Sequence, residues 1–277
     1  MGQEEGDCSM NGQIEGLVRR INRLEAEVVN LQSEQQGRQL YVANVCGKSV
    51  VFDTSDAYTR RWFFPRYQGG KLHEPAAIRW VVENLEENGV FVDVGAHVGY
   101  FAIIAASACK LSFAIEPQEA MLHRIRTSAS INHFEHVTIV HAAASDTPGF
   151  ARVPRMGSPR TRVGGKGTNL VPAIALDQYF MGAFHPSMVK IDVEGFEAKV
   201  LAGACQLLER GTKILLEVHP RALSENGTSV RDVVSQIKEF RYDIFRFRHR
   251  DDASILNPVV GDGSDVKQNE MLICLRL

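Results

Sequence analysis

Apolar residues recur along this chain in two rhythms. Between Ile14 and Leu31 they fall at Ile14, Leu17, Ile21, Leu24, Val28 and Leu31, alternating spacings of three and four that predict a heptad helix. With Ile14 at position a, the a positions hold Ile, Ile and Val and every d position holds Leu, the combination that favours parallel two-stranded coiled coils. Arg20 then sits at g and Glu25 at the following e, a pair worth about 0.2–1 kcal/mol across a dimer. Gly16 and the small number of heptads weaken such a helix in isolation. Residues 1–36 are therefore expected to form an N-terminal coiled-coil helix that joins two copies through residues 14–35, with packing back onto its own chain as the alternative.

From residue 37 onward the rhythm changes to short apolar runs separated by helical spacing. Gln39 to Val45 and Ser49 to Phe52 read as strands joined around Gly47-Lys48, and Glu74 to Leu85 as a helix. A strand from Val90 leads through two glycines into a helix ending near Ser107. A strand at Leu111–Ile115, a helix from Gln118 to Ile131 and a strand at Val137–His141 follow. Strands at Met188–Ile191 and Lys213–Leu216, a helix at Val230–Phe240 and strands at Tyr242–Phe247 and Met271–Leu277 complete the pattern. Strands alternating with helices predict an α/β fold, a doubly wound and mostly parallel sheet, in one domain over residues 37–277. Ligands of such sheets bind at the carboxyl ends of the strands, where strand order reverses.

The first of those carboxyl ends carries the chemistry. Asp93-x-Gly95-x-x-x-Gly99 forms a turn, and 21 residues after Gly95 the next strand ends in Glu116-Pro117. An acid in that place suits the two hydroxyls of a ribose. The dinucleotide fingerprint needs two further glycines, and this chain has His97 and Tyr100 there. The phosphate loop with its lysine is absent as well. What remains is the pattern of S-adenosylmethionine-dependent methyltransferases, whose cofactor carries a ribose and no phosphate. An NAD-dependent oxidoreductase is a rival that the missing glycines disfavour. A non-catalytic dimeric scaffold with a nucleoside pocket is the other.

Further motifs fall in a recognisable order: Glu74-Pro75, Asp93-Val-Gly-Ala-His-Val-Gly-Tyr-Phe101, Glu116-Pro117, Ser145-Asp146, Leu176-Asp177, Val189-Lys-Ile-Asp-Val-Glu-Gly-Phe-Glu197 and Leu215-Leu-Glu-Val-His-Pro220. Over residues 73–276 the chain resembles the FkbM family of methyltransferases, most specifically in the Lys-Ile-Asp-Val-Glu-Gly-x-Glu segment. The resemblance implies a seven-stranded Rossmann-like methyltransferase sheet with a final pair of strands. It also implies O-methyl transfer to a small molecule, a polyketide-type natural product or a sugar. The cofactor is then expected against Asp93, Gly95, Ala96, His97, Gly99, Tyr100, Glu116, Pro117, Ala143, Asp146 and Asp192. Among these, Glu116 binds the ribose, Asp93 fixes the loop or meets the cofactor amine, and the Ala142–Asp146 loop lies close to the adenine.

The expected sheet order makes Met188–Ile191 and Lys213–Leu216 neighbours, which gathers Asp192, Glu194, Glu217 and His219 on the rim. Methyl transfer is an in-line displacement governed by positioning, but a base must relieve the acceptor oxygen of its proton. His219 suits that role because an unperturbed imidazole titrates near neutrality, and Asp192 and Glu194 are the carboxylate candidates. Asp192, Glu217 and His219 form an alternative set for a divalent metal, ranked below metal-free catalysis. The plainer readings make Glu197 a solvent or ion-pair residue, Glu194 a helix cap and His219 a local hydrogen-bond partner.

Composition narrows the classes. A net charge of −2 and no basic block disfavour nucleic acid as partner, the longest apolar stretches are too short to span a bilayer, and no signal-peptide core is seen. Gly6 stands where a myristoylation signal needs Ser or Thr. Five scattered cysteines suggest neither zinc nor a disulfide framework and point to a reducing cytoplasm. Asn226-Gly-Thr228 is read as an ordinary loop. Trp62 and Phe63, in the aromatic and basic stretch Tyr58–Tyr67, are read as core residues, with a wall of the acceptor pocket as the other possibility. Arg155 to Asn169, rich in glycine and cations, is expected as a loop, either a lid whose Arg160, Arg162 or Lys166 meets substrate or a plain surface segment. Arg246–Arg250 is read as a solvated strand end.

Overall fold

The computed structural model describes residues 39–63, 67, 70–153, 169–182, 184–250 and 255–276, together with Leu17, Arg20, Ile21 and Leu24. Those last four are helical, and Leu17, Ile21 and Leu24 are 59, 52 and 52% exposed. The rest of the heptad segment and the expected loop from Arg155 lie outside the described residues, apart from Asn169, which opens a strand.

The chain divides into two compact units, residues 1–72 and 73–277. The contact boundary thus falls at Leu72, beyond the end of the heptad segment. In the first unit β1 (Leu40–Val45) pairs antiparallel with β2 (Lys48–Asp53) through a turn at Cys46-Gly47, where both residues have positive φ. A helix over Ala57–Phe63 follows, its first N–H groups held by the Asp56 carboxylate. Tyr41, Phe52 and Phe63 are buried, with the Tyr41 and Phe63 rings stacked at 4.8 Å. Trp62 packs edge-on against Phe63 at the same separation. The aromatic stretch therefore supplies a small core of its own.

The second unit is built on a sheet whose strands are β3 (Val90–Val94), β4 (Leu111–Ile115), β5 (Val137–Val140), β9 (Met188–Ile191), β10 (Lys213–Val218), β11 (Tyr242–Phe247), β12 (Asn257–Pro258) and β13 (Glu270–Arg276). Their order is β12-β11-β13-β10-β9-β3-β4-β5. Seven of them are the strands expected, and β12 adds a two-residue edge. β3, β4, β5, β9 and β10 run parallel, while β13 inserts antiparallel between β10 and β11. Covered on both faces, β3 and β9 are buried at every position, which is why they read as unbroken apolar runs rather than as alternation. One core runs from Val92 and Ile191 through Leu201 and Leu216 to Val233 and Ile237.

A second, three-stranded sheet was not foreseen. β6 (Ala143–Ala144), β7 (Gly149–Val153) and β8 (Asn169–Ile174) pair in the order β6-β8-β7 around Ala143, Val153 and Val171. The stretch expected as a loop beside the adenine is thus partly strand, because its small residues fit a tight pairing with Ala173 and Ile174. Asn226 terminates the short Pro220–Glu225 helix and donates from its side chain to the Gly195 carbonyl, as befits a structural loop residue. Among the described residues no helix is long and apolar enough to cross a membrane.

Candidate methyl-transfer site

Strand order reverses between β3 and β9, and the two strands end side by side in Gly95 and Asp192. They are so close that a Cβ on Gly95 would stand 1.9 Å from the Asp192 carbonyl oxygen, and Gly95 has φ +82. Gly99, at φ +83, opens the Tyr100–Ala106 helix and would press a Cβ onto Ile125 at 3.0 Å. Both glycines of the motif are therefore steric requirements.

The loop they bound spends its amides internally. Gly95 and Ala96 donate to the Ile115 carbonyl, His97 donates to Glu116 Oε2 at 2.8 Å, and Gly99 donates to the Ala96 carbonyl. A pyrophosphate needs such donors turned outward. Glu116 is 3% exposed and takes a second N–H, from Gln118, on Oε1. Burial pushes its carboxyl up to about 7, against the two backbone donors. His97 sits in the left-handed region at φ +52, and burial lowers its imidazole to about 4, so it is neutral. Tyr100 is buried, and its hydroxyl accepts from the His73 N–H at 3.1 Å. The Pro117 carbonyl meets His141 Nε2 at 3.1 Å. Asp146 is exposed and held by Ser145 Oγ and Thr147 N–H.

Asp93 and Lys190 face each other in register across β3 and β9. Lys190 Nζ lies 3.6 Å from Asp93 Oδ1 and 3.3 Å from Asp192 Oδ2, with the Phe101 ring 4.8 Å away. Burial opposes the charge of Lys190, but Asp192, Asp93, Glu74 and Glu217 outweigh it and hold the ammonium above the usual lysine range. Burial likewise would raise Asp192, yet Lys190 and His219 keep it below the usual carboxylate value. For Asp93, fully inside the sheet, burial dominates and its carboxyl is raised despite Lys190 and the Ala102 N–H that it accepts.

The turn after β9 aims the remaining groups. Glu194 has φ +51 and Gly195 φ +106, where a Cβ would meet the Ala222 backbone at 2.7 Å. Glu197 then opens a helix with no exposure at all, and its Oε1 accepts both the Gly195 N–H at 2.9 Å and His219 Nδ1 at 2.7 Å. Of the two plain readings of Glu197, solvent or ion pair, the buried ion pair is the one that holds, and Glu197 also takes the Gly195 N–H. His219 Nε2 faces Asp192, Glu194 and Glu217 at 3.7, 3.8 and 3.8 Å. Burial acts to lower His219, but Glu197 and the surrounding acids raise it to about 9. Its environment thus differs from the near-neutral imidazole expected: at pH 7 it is an imidazolium.

The three residues expected around a metal fall into two neighbouring groups, Asp192 with Glu194 and His219, and Glu217 with Glu74 and His249. His249 belongs to the basic stretch read as a solvated strand end, yet it and Phe247 are buried. Lys190 escaped assignment although its signal was present: a lone charge inside a four-residue strand that is otherwise apolar. His249 carried no signal in the sequence, because its neighbours are fixed only by the fold.

The doubly wound sheet, the glycine turn at its switch point and the acid at the tip of β4 define a Rossmann-like methyltransferase. A profile described as the methyltransferase FkbM domain matches residues 93–244, more than half of the chain, and the chain belongs to that family. The protein is 25% identical over 206 residues to the hexuronic acid methyltransferase AglP of Haloferax volcanii, covering 73% of this chain and 81% of that one. It is similar in fold, at a TM-score of 0.50 and 17% identity, to the crystal structure of methyltransferase FkbM from Methylobacillus flagellatus KT. That likeness covers 73% of this chain but only 47% of the other, so the chain spans about half of that relative's length.

The Asp93–Lys190 pair gives a sharp expectation. Lys190→Met should lower stability by about 3–5 kcal/mol by leaving a buried carboxylate without its counter-charge. Asp93→Asn in the same chain should restore part of the loss, as read by urea unfolding of the two single variants and the double.

Proposed function

We propose that this protein transfers the methyl group of S-adenosylmethionine to a hydroxyl oxygen of a small molecule of the sugar or natural-product kind. The observation that carries the reading is Glu116, buried at the tip of β4 and tied to the glycine turn through the His97 N–H. Each carboxylate oxygen has a second lone pair for a ribose hydroxyl, and the inward-turned loop amides suit a cofactor without phosphates better than NAD. When bound, S-adenosylmethionine supplies an electrophilic methyl on a sulfonium. The relationship to a hexuronic acid methyltransferase supports a sugar as acceptor.

The protein's own part is to bind, orient and take up a proton. Asp192, at the junction of β3 and β9, is ionised and partly exposed. In this reading its carboxylate accepts the hydrogen of the acceptor hydroxyl, with Glu194 beside it. His219, fixed on Glu197, stays charged and orients both carboxylates as a positioning residue. The helical seam through Leu17, Ile21 and Leu24, exposed within one chain, supports a homodimer through residues 14–35.

Three measurements test these points. Titration calorimetry with S-adenosylhomocysteine should show binding that Glu116→Ala weakens by about 1–3 kcal/mol, the worth of charge-assisted hydrogen bonds; unchanged affinity would overturn the cofactor assignment. With Asp192 as proton acceptor, kcat should stay flat between pH 6.5 and 8 and fall about 10²–10⁴-fold in Asp192→Asn. A rate that climbs tenfold per pH unit toward about 9 would instead make neutral His219 the base. Light scattering should give a dimer for the full chain and a monomer for residues 37–277.

A further inference from the structure

Beside the turn after β9, three side chains from separate parts of the second unit converge. Glu74 precedes the Pro75–Asn84 helix, Glu217 lies near the end of β10, and His249 stands in the turn after β11. They are 6, 6 and 8% exposed. The His249 carbonyl accepts the Ala76 N–H at 3.1 Å, which pins that turn onto the first turn of the helix. One ligand atom from each residue lies within 4.8 Å of the other two, and Glu74 Oε1 is 3.7 Å from His249 Nε2.

What sets the group apart is how its carboxylates are satisfied. Buried carboxylates are normally hydrogen-bonded, because an unpaired one forfeits its hydration. Among the described residues, neither Glu74 nor Glu217 accepts a hydrogen bond on its side chain. Among the described residues, the groups paired with them are ring nitrogens, the neutral His73 at 3.5 Å and His249 at 3.7 Å from Glu74, and His219 at 3.8 Å from Glu217. Lys190 does not meet the need, since its ammonium is already shared by Asp93 and Asp192. Two inward-facing carboxylates and an imidazole are left facing a common point.

We propose that Glu74, Glu217 and His249 bind one divalent transition cation of the manganese or zinc kind. Mixed oxygen and imidazole donors suit that class better than magnesium or calcium, which prefer oxygen alone. Three atoms mutually within 4.8 Å leave a point within about 2.8 Å of each, and small side-chain rotations shorten this to the ~2.0–2.2 Å of such bonds. The neighbouring Asp192, Glu194 and His219 group is the weaker ligand set. His219 Nδ1 is taken by Glu197, and its Nε2 is shared among three acids that already surround it. Burial together with the neighbouring acids pushes Glu74 up to about 7 and Glu217 up to about 8, so cation uptake near neutral pH is accompanied by proton release. The proposal concerns the ligand set alone and does not depend on the identity of the methyl acceptor.

The test uses full-length, metal-free protein titrated with manganese(II), the loss of the free-ion electron paramagnetic resonance signal giving uptake. One ion per chain is expected, with affinity reduced about tenfold or more in both Glu217→Gln and His249→Ala. Manganese should also raise the thermal unfolding midpoint of the wild type more than that of Glu217→Gln. Unfolding midpoints without metal show which variants are folded, and the near-isosteric Glu217→Gln decides the matter if His249→Ala is not. Absence of uptake by the folded wild type at about 1 mM manganese, or unchanged affinity in a folded Glu217→Gln, would overturn the site.

Discussion

Everything at the rim of the sheet depends on one buried ammonium. Lys190 sits inside β9 between Asp93 on β3 and Asp192 at its own strand's end. A carboxylate within a fully covered strand is costly, and so is an ammonium; in register they stabilise each other where either alone would not persist. Because the pair spans the junction where strand order reverses, it links the glycine turn after β3 to the acidic turn after β9. It also keeps Asp192 ionised.

The backbone around that charge is held by strain that specific residues make tolerable. Gly95 and Gly195 occupy conformations and contact distances that exclude a side chain, one against the Asp192 carbonyl and the other against Ala222. Between them, His97 and Glu194 adopt positive φ without being glycine. Such positions persist only where the surroundings over-determine them, and they concentrate at functional sites. Here the over-determination is visible: the His97 N–H is taken by Glu116, while Glu197 takes the Gly195 N–H and holds His219 at the same time. The two loops are thus each locked by a buried glutamate.

The surplus of carboxyl groups gives the site its character. Six acids, Glu74, Asp93, Asp192, Glu194, Glu197 and Glu217, surround Lys190 and His219. His219 responds by holding its proton, and the carboxyls of Glu74 and Glu217 are pushed up to about 7 and about 8. In such a field a histidine chosen for its ordinary titration becomes a source of positive charge. The neutral form that a general base needs is then scarce at neutral pH.

Periodicity alone determined much of this protein. The apolar runs at Val90–Val94 and Leu111–Ile115 located the parallel strands, because burial on both faces leaves no room for alternation, and Asp93, Gly95, Gly99 and Glu116 marked the switch-point end of the sheet by their spacing. The turn at Asp192–Glu197 and the partner His219 were legible for the same reason, as polar residues placed where apolar strands stop. Tertiary structure decided what each of these groups meets. Register set Lys190 opposite Asp93, the path of the Glu197 helix brought a buried carboxylate to His219, and the turn after β11 carried His249 to Glu74. Ala143 and Ala144 joined a separate small sheet because their partners lie on β8, some thirty residues away. Local patterns report burial and backbone freedom, which each residue carries with it, whereas protonation and ligand-binding capacity arise from charges that only the folded chain brings within 4 Å.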